Sequence, residues 1–168
     1  MRKGGVNGGV QWGMSSDGQK IYASTGDSVR LARAELIGNA NYNPAAGGGI
    51  TALRITDGSK ARFAEPQACS PPRPGCSPGQ SGALTALPGM VLSGSLDGHI
   101  RAYSAEDGKV IWDLDTAPEF TTVNGVPGRG SSLDGAGPVI SSGMIFLNSG
   151  YPRNGGMPGN VLLAFGPE

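Results

Sequence analysis

Short apolar runs alternate with turns along the chain, and their order repeats three times. The first unit, at about 8–66, has runs at 10–15, 20–24, 50–55 and 60–64. The second, at 80–116, has runs at 82–87, 90–95, 99–104 and 109–114, and the third, at 136–168, has runs at 138–140, 144–149 and 160–165. Asp-Gly or Pro-Gly pairs separate many of the runs, and glycine tolerates the positive φ of tight hairpins.

Each full unit is therefore predicted to be four short strands, which is a propeller blade. The fold class that follows is all-β, a partial β-propeller of about two and two-thirds four-stranded blades in a single domain. A long amphipathic helix is not predicted anywhere; the nearest pattern, at 28–37, is sufficient for one or two turns.

The links between runs differ in length. Four links are long, at 26–49, 65–80, 116–137 and 151–159. The links from the first to the second strand and from the third to the fourth strand of each unit are tight. Alternate links of a meander lie on opposite faces, so the long loops are expected on one face. Long loops on a rigid scaffold are common sites of binding and catalysis, although they also simply tolerate insertion.

Composition agrees with a folded repeat. Gly (30) and Pro (13) are abundant, a level that without a period indicates disorder. Lys plus Arg (13) balance Asp plus Glu (13), so no basic surface for nucleic acid is expected. No apolar run approaches the roughly 18 residues of a membrane span, and the first residues show no export signal.

Cys69 and Cys76 are the only cysteines, and they flank a proline-rich loop. A disulfide is favoured, and two unpaired thiols remain the alternative. A zinc site would need about four ligands, and His99, far along the chain, is the one other good candidate. His99 is interpreted as a surface or hydrogen-bonded histidine. No Cys-x-x-Cys-His motif for haem c is encoded.

One motif in the second unit is specific. Ala102, Gly108 and Trp112 occupy positions 1, 7 and 11 of AYSAEDGKVIW, which resembles the tryptophan-docking motif of quinoprotein propellers. In that motif a small residue and a glycine leave room for an indole between blades. The first unit has Arg62 at the tryptophan position, so this contact is expected to be lost or made by Phe63.

Six further runs resemble the pyrroloquinoline quinone (PQQ)-dependent alcohol dehydrogenases, in particular the polyvinyl alcohol dehydrogenases. They are GGVQWG at 8–13, GCSPGQS at 75–81, SGSLDGH at 93–99, FTTVNG at 120–125, DGAGP at 134–138 and NSGYPRNGGMPGN at 148–160. The resemblance implies an eight-bladed, periplasmic or secreted enzyme. Such an enzyme binds PQQ and Ca²⁺, oxidises secondary alcohols or polymer chains, and passes electrons to cytochrome c.

The resemblance also implies that the chain is a C-terminal fragment whose N-terminal blades are missing, and that it is inactive alone. The family's calcium ligands and catalytic aspartate match no motif here, so no metal ligand is assigned and these groups are expected in the missing blades.

Four loop residues are candidate site residues. Asp134 is the candidate catalytic carboxylate, and an ordinary turn aspartate is the alternative. Trp12 is a candidate for stacking on the quinone or for packing between blades. Asn124 and Arg129 are candidates for binding the quinone carboxylates, or else solvated loop residues.

Two other functions stay open. A non-catalytic PQQ-like propeller that serves as a binding or assembly scaffold would share the docking motif. A gene fragment without independent function is the third possibility. The family-like runs around Trp12, Asn124 and Asn148 favour the enzyme, because a bare scaffold does not need them.

Overall fold

The computed structural model describes residues 5, 8–31, 42–150 and 156–167. The helical pattern at 28–37 and the run at 148–160 lie partly outside these residues. Within the described ranges the elements are β-strands, joined by turns and loops, and no helix is present. None of the described elements is a helix long and apolar enough to cross a membrane.

Three antiparallel sheets follow one another along the chain. Blade one contains β1 (Ser15–Ser16), β2 (Lys20–Ser24), β3 (Ile50–Arg54) and β4 (Lys60–Ala64) in that order. Blade two contains β5 (Thr85–Leu87), β6 (Met90–Gly94), β7 (His99–Ser104) and β8 (Val110–Asp115). Blade three contains β11 (Val139–Ser141), β12 (Met144–Ser149) and β13 (Val161–Phe165). The predicted all-β partial propeller, with four, four and three strands, is confirmed.

A fourth, two-stranded sheet was not predicted. It pairs β9 (Glu119–Thr121) with β10 (Pro127–Arg129) inside the long link between blades two and three. Its turn contains Asn124 followed by Gly125, which has a φ of +74°. Five residues separate the two strands, and a link of three to five residues that contains glycine is a hairpin signal, so the hairpin could have been predicted.

The first strand of blade one is much shorter than predicted. Residues 10–14 were expected to be strand, but only Ser15–Ser16 pairs with β2. The preceding backbone instead bonds to other segments: Gly9 O accepts from Gly26 N at 3.0 Å and Gly13 O from Leu84 N at 3.1 Å. Competition from these partners ends the strand early.

Apolar side chains from neighbouring blades form two cores. Between blades one and two lie Tyr22, Ile50, Ala52, Ala64, Leu84, Val91, Tyr103 and Ala105. Between blades two and three lie Leu92, Ile100, Ala102, Leu133 and Leu147. Each core draws on both of its sheets, so burial of one blade depends on the next.

The contact expected to be lost in the first unit is present in a different form. Arg62 Nη2 donates to the carbonyls of Ser104 (3.2 Å) and Ala105 (2.6 Å), and Nη1 donates to Glu106 O. A Cβ placed on Gly108 would lie 3.0 Å from Arg62 Nε. Phe63, the expected substitute, packs against Gly49 instead. A planar guanidinium therefore occupies the place of the indole.

The long loops lie on one face, as predicted, and bond to one another. Cys69 N donates to Pro44 O (2.9 Å), Gln80 N to Thr25 O (3.0 Å) and Ser132 N to Met157 O (3.3 Å). These bonds connect loops of all three blades. We call this surface the loop face.

Candidate functional site

Three chain segments that lead into the innermost strands meet on the loop face. They are residues 8–14, 81–84 and 134–138. Leu84 N donates to Gly13 O at 3.1 Å, and Ala83 N donates to Gly135 O at 2.9 Å. We call these three segments the inner rim.

The inner rim brings Trp12 close to Asp134. A Cβ placed on Gly135 would lie 3.8 Å from Trp12 Cζ2, an ordinary van der Waals distance, so the indole lies next to the residue that follows Asp134. Trp12 is 38% exposed, whereas Asp134 is 8% exposed. The rim thus offers an accessible flat ring next to a nearly buried carboxylate.

Asp134 is held by a residue from another blade link. Ser81 Oγ donates to Asp134 Oδ1 at 2.8 Å across 53 residues of chain. A turn aspartate typically accepts from its own loop two or three residues away. The bond to Ser81 orients the carboxylate relative to the rim.

Asn124 and Arg129 belong to a separate group. Asn124 is exposed at the turn of the β9–β10 hairpin, where its Oδ1 accepts from Thr122 Oγ1 (2.7 Å) and Val126 N (3.2 Å). Arg129 is exposed, and its backbone pairs with Asn160. A Cβ on Gly128 would lie 2.6 Å from Val161 Cγ1, so the hairpin packs on β13 rather than on the rim.

Gln80 is a buried polar residue that the sequence reasoning missed. Its Nε2 donates to Ser93 Oγ (3.1 Å) and Tyr103 OH (3.0 Å), and its Oε1 accepts from Gly49 N (2.8 Å). Burial raises the pKa of Tyr103 to about 12, so this phenol stays protonated at neutral pH. A fully bonded amide at this point fixes the loop that carries Ser81.

A charged network underlies the loop face in blade two. Arg101 is 4% exposed and donates to Asp97 Oδ2 (2.7 Å) and Asp113 Oδ2 (3.0 Å). Burial alone would lower the pKa of Arg101, but the hydrogen bond and charge of Asp97 outweigh it and raise that pKa. His99 Nδ1 lies 2.7 Å from Asp113 Oδ1, so the prediction of a hydrogen-bonded histidine is confirmed.

The predicted disulfide is present. Cys69 and Cys76 are bonded, with their Cα atoms 6.4 Å apart, and the two sulfurs form a small buried cluster with Met157. Arg73, inside the same loop, donates to Asp115 Oδ2 at 2.8 Å. The bridge therefore stiffens a loop that is tied to blade two.

A cluster of three or more His, Cys, Asp or Glu side chains suited to a metal ion is absent from the described residues.

Two curated proteins, both named Polyvinylalcohol dehydrogenase, are similar to this chain. The one from Pseudomonas sp. is 39% identical over 94% of the chain, and the one from Sphingopyxis sp. is 34% identical over 96% of it. The chain spans about a quarter of the length of each relative, 25% in both cases. These relatives confirm the resemblance that the sequence motifs indicated. No protein-family model matches the chain.

Solved structures show more distant similarity. The computationally designed Ika4 protein gives a TM-score of 0.45 at 13% identity and covers 91% of this chain and 88% of its own. A europium-containing methanol dehydrogenase gives 0.43 at 14% identity, over 83% of this chain and 23% of its own. Both scores are too low to refine the fold.

Proposed function

We propose that this chain is part of a PQQ-dependent alcohol dehydrogenase of the polyvinyl alcohol type. Such an enzyme oxidises secondary alcohols, including those of a polymer, and transfers the electrons to a c-type cytochrome. One observation carries the proposal: the similarity to two polyvinyl alcohol dehydrogenases extends over nearly the whole chain, at 39% and 34% identity. It therefore includes the loops as well as the blade cores.

The loop face favours an enzyme over a scaffold. A scaffold needs the apolar cores between blades, but it does not need buried polar side chains above them. Gln80, Arg101 and Asp134 are all nearly buried on or under this face, and each is fixed by hydrogen bonds. Positioned polar groups on a rigid frame are what catalysis requires.

The inner rim fits one side of a flat cofactor. Trp12 presents a partly exposed indole, and its ring lies next to Gly135, the residue that follows Asp134. PQQ, when bound, supplies the two-electron acceptor. In this proposal Trp12 packs against the quinone, and Asp134, oriented by Ser81, takes the proton of the substrate hydroxyl. Asn124 and Arg129 lie on the separate hairpin, so we assign the quinone-facing role to the rim.

The proposed location is the periplasm or the outside of the cell. The Cys69–Cys76 bond is consistent with an oxidising compartment. A Ca²⁺ ion is the proposed partner of the quinone.

The 168 residues alone are proposed to be inactive. A reaction of this kind needs base, cation and quinone to be aligned to within a fraction of an ångström. The described sheets form an open arc of three blades, so they supply one wall of an axial pocket. The isolated chain, given PQQ, Ca²⁺ and polyvinyl alcohol, should show no dye-linked oxidation above background.

A chimera tests the positive half of the proposal. The chain replaces the matching quarter of the Pseudomonas dehydrogenase, and oxidation of polyvinyl alcohol is measured. We expect the chimera to retain activity and its Asp134→Asn variant to lose it about a hundredfold or more. Asp57→Asn, at an exposed turn, is the control. A folded chimera that binds PQQ but oxidises no alcohol would exclude the proposal.

A further inference from the structure

Residues 80–84 cross from blade one to blade two on the loop face, and we call them the bridging segment. Two of their backbone N–H groups hold the functional parts of the inner rim. The N–H group of Ala83 donates to the carbonyl of the residue after Asp134, at 2.9 Å. The N–H group of Leu84 donates to the carbonyl of the residue after Trp12, at 3.1 Å. The bridging segment therefore sets where the carboxylate lies relative to the indole.

The chain around Asp134 packs directly on the bridging segment. Ser81 Oγ donates to Asp134 Oδ1 at 2.8 Å. A Cβ placed on Gly137 would lie 2.5 Å from Ala83 O, which is closer than a real side chain approaches, so the two main chains are in contact there. A shift of the bridging segment would move Asp134 with it.

Blade one holds the main chain of the bridging segment. Ser24 Oγ, from the end of β2, donates to Gly82 O at 2.9 Å, and this bond is buried. Gln80 N donates to Thr25 O at 3.0 Å. These two bonds fix the segment to one blade, so its position relative to blade two depends on further contacts.

The Gln80 side chain ties the bridging segment to both blades at once. Its Oε1 accepts from Gly49 N, just before β3 of blade one, at 2.8 Å. Its Nε2 donates to the hydroxyls of Ser93 (3.1 Å) and Tyr103 (3.0 Å), which lie on β6 and β7 of blade two. Gln80 is 1% exposed, so water does not replace these partners when they are removed. A buried amide with such partners makes its surroundings rigid.

We propose that Gln80 is a positioning residue of the inner rim. It ties the bridging segment to both blades and so fixes Asp134, through Ser81, at one distance from Trp12. The inference rests on the proposed function, because it assigns Gln80 to the reaction of that site. Gln80 acts through Ser81, so its loss displaces the carboxylate without removing it. A displacement of about 1 Å lowers a rate by up to about a hundredfold.

The first test uses the chimera with Gln80→Met, which keeps the size of the side chain and removes its hydrogen bonds. We expect kcat for polyvinyl alcohol to fall at least about tenfold while KM changes less than about threefold, because the carboxylate is misplaced but the binding surface is kept. Thr116→Val is the matched control. Thr116 is 0% exposed, and its hydroxyl bonds to Gly98 O (2.7 Å) and Ser149 Oγ (2.8 Å) between blades two and three.

The control loses buried hydrogen bonds that do not involve the bridging segment. Thr116→Val should therefore lower stability but leave kcat unchanged. Equal falls of kcat in the two variants would overturn the proposal, because they would show a general effect of weakened packing. Should Gln80→Met not fold, Tyr103→Phe replaces it. That variant removes a single bond of the amide, and kcat should fall about threefold.

A double-mutant cycle decides whether Gln80 acts through Ser81. Ser81→Ala alone should lower kcat, because Asp134 loses its donor. Adding Gln80→Met to Ser81→Ala should then lower kcat by less than about threefold more, since both changes disturb one interaction. Two effects that multiply in full would refute the proposal.

Amide hydrogen exchange in the 168-residue chain separates this inference from the proposed function. The N–H groups of Ala83 and Leu84 should exchange about tenfold faster in Gln80→Met than in the wild type, and no faster in Thr116→Val. Unchanged exchange in Gln80→Met would overturn the positioning role even in an active chimera. Faster exchange in a chain whose wild-type chimera is inactive would refute the dehydrogenase, while the tie between Gln80 and the inner rim would be confirmed.

Discussion

The two interfaces between blades place different side chains at the same position of the repeat. Between blades two and three, the Trp112 ring meets the Phe165 ring edge to face, with centroids 6.2 Å apart. Between blades one and two, Arg62 lies over Gly108 and donates to three successive carbonyls of the turn at 104–106. Both groups are flat, and both bridge from an outer strand to the next blade.

The difference shows what the position requires. An indole gains its stability from buried apolar area, whereas a guanidinium gains it from charge-assisted hydrogen bonds to carbonyls that would otherwise face water. Arg62 also lies over the Tyr22 ring, with Cζ 5.9 Å from the centroid. Both interfaces therefore have a planar side chain at this position of the repeat. We infer that an indole and a guanidinium can partly replace one another there.

Removing the indole should give the largest effect. Trp112→Ala is expected to lower the free energy of unfolding by about 2 to 3 kcal/mol. This loss is no larger than the smallest losses seen for fully buried aromatic residues, because the Trp112 ring is partly exposed. Urea denaturation at one protein concentration measures it. Ile111→Ala, at a neighbouring exposed side chain, is the control and should change stability little. Equal effects of the two variants would show that Trp112 does not hold the blades together.

Removing the guanidinium should cost less. Arg62→Ala loses three hydrogen bonds at a half-buried site, and we expect about 1 to 2 kcal/mol, since water can reach the freed carbonyls. Arg62→Trp tests interchangeability directly and should recover at least half of that loss. Arg54→Ala, an exposed arginine of the same blade, is the matched control. If Arg62→Trp is no better than Arg62→Ala, the position is specific for arginine.

The strand repeat could be predicted from the sequence, but the contacts that distant segments make with it could not. Strand runs and turn pairs that end in glycine placed all three blades because they are local signals. The early end of β1 depends on Gly9 and Gly13 bonding to distant loops, and no local pattern encodes that. The contact at Arg62 was expected to be lost or made by Phe63, whereas the carbonyls of residues 104–106, two to four residues before Gly108, accept hydrogen bonds from the guanidinium.

The candidate site was predicted in part. Asp134 was singled out by its glycine-rich run, but its partner Ser81 lies 53 residues away and only the fold joins them. Gln80 was missed because its role depends on burial and on hydrogen bonds to distant residues, and the local sequence of a polar loop residue indicates neither. Asn124 and Arg129 share a loop in sequence with Asp134, yet the β9–β10 hairpin carries them to β13.

Two equivalent glycines separate backbone strain from interface packing. Gly58 and Gly108 both have positive φ, +70° and +77°, so alanine at either should cost about 1 kcal/mol through strain. Nothing lies within 4 Å of a Cβ on Gly58, whereas a Cβ on Gly108 would meet Arg62. We expect Gly108→Ala to cost about 1 kcal/mol more than Gly58→Ala. That excess should vanish in an Arg62→Ala background, and an excess that persists there would point to another neighbour.

Acid should weaken the interface between blades one and two by a smaller amount. Burial tends to raise the pKa of Asp17, but hydrogen bonds from Tyr22 OH (2.6 Å) and the backbone N–H groups of Lys20 and Gln19 outweigh it and lower that pKa to about 2. A carboxylate with a lowered pKa stabilises the fold above its unfolded value near 3.8, and that contribution is lost as the pH falls towards 2. Tyr22 is buried in the core of this interface, so its bond to Asp17 couples the turn to the contact with Arg62.

The comparison within the molecule is Asp107, in a turn of blade two. Hydrogen bonds from Lys109 and Ser104 lower its pKa to about 2 as well, but Asp107 is exposed. Salt screens exposed charges more than partly buried ones.

Urea midpoints between pH 5 and pH 2 should therefore fall less steeply in Asp17→Asn than in the wild type, and this difference should persist at high salt. The corresponding difference for Asp107→Asn should shrink in salt, and Tyr22→Phe should reproduce part of the Asp17→Asn effect. A wild-type pH dependence that Asp17→Asn leaves unchanged would show that Tyr22 and Arg62 hold the interface without help from the turn.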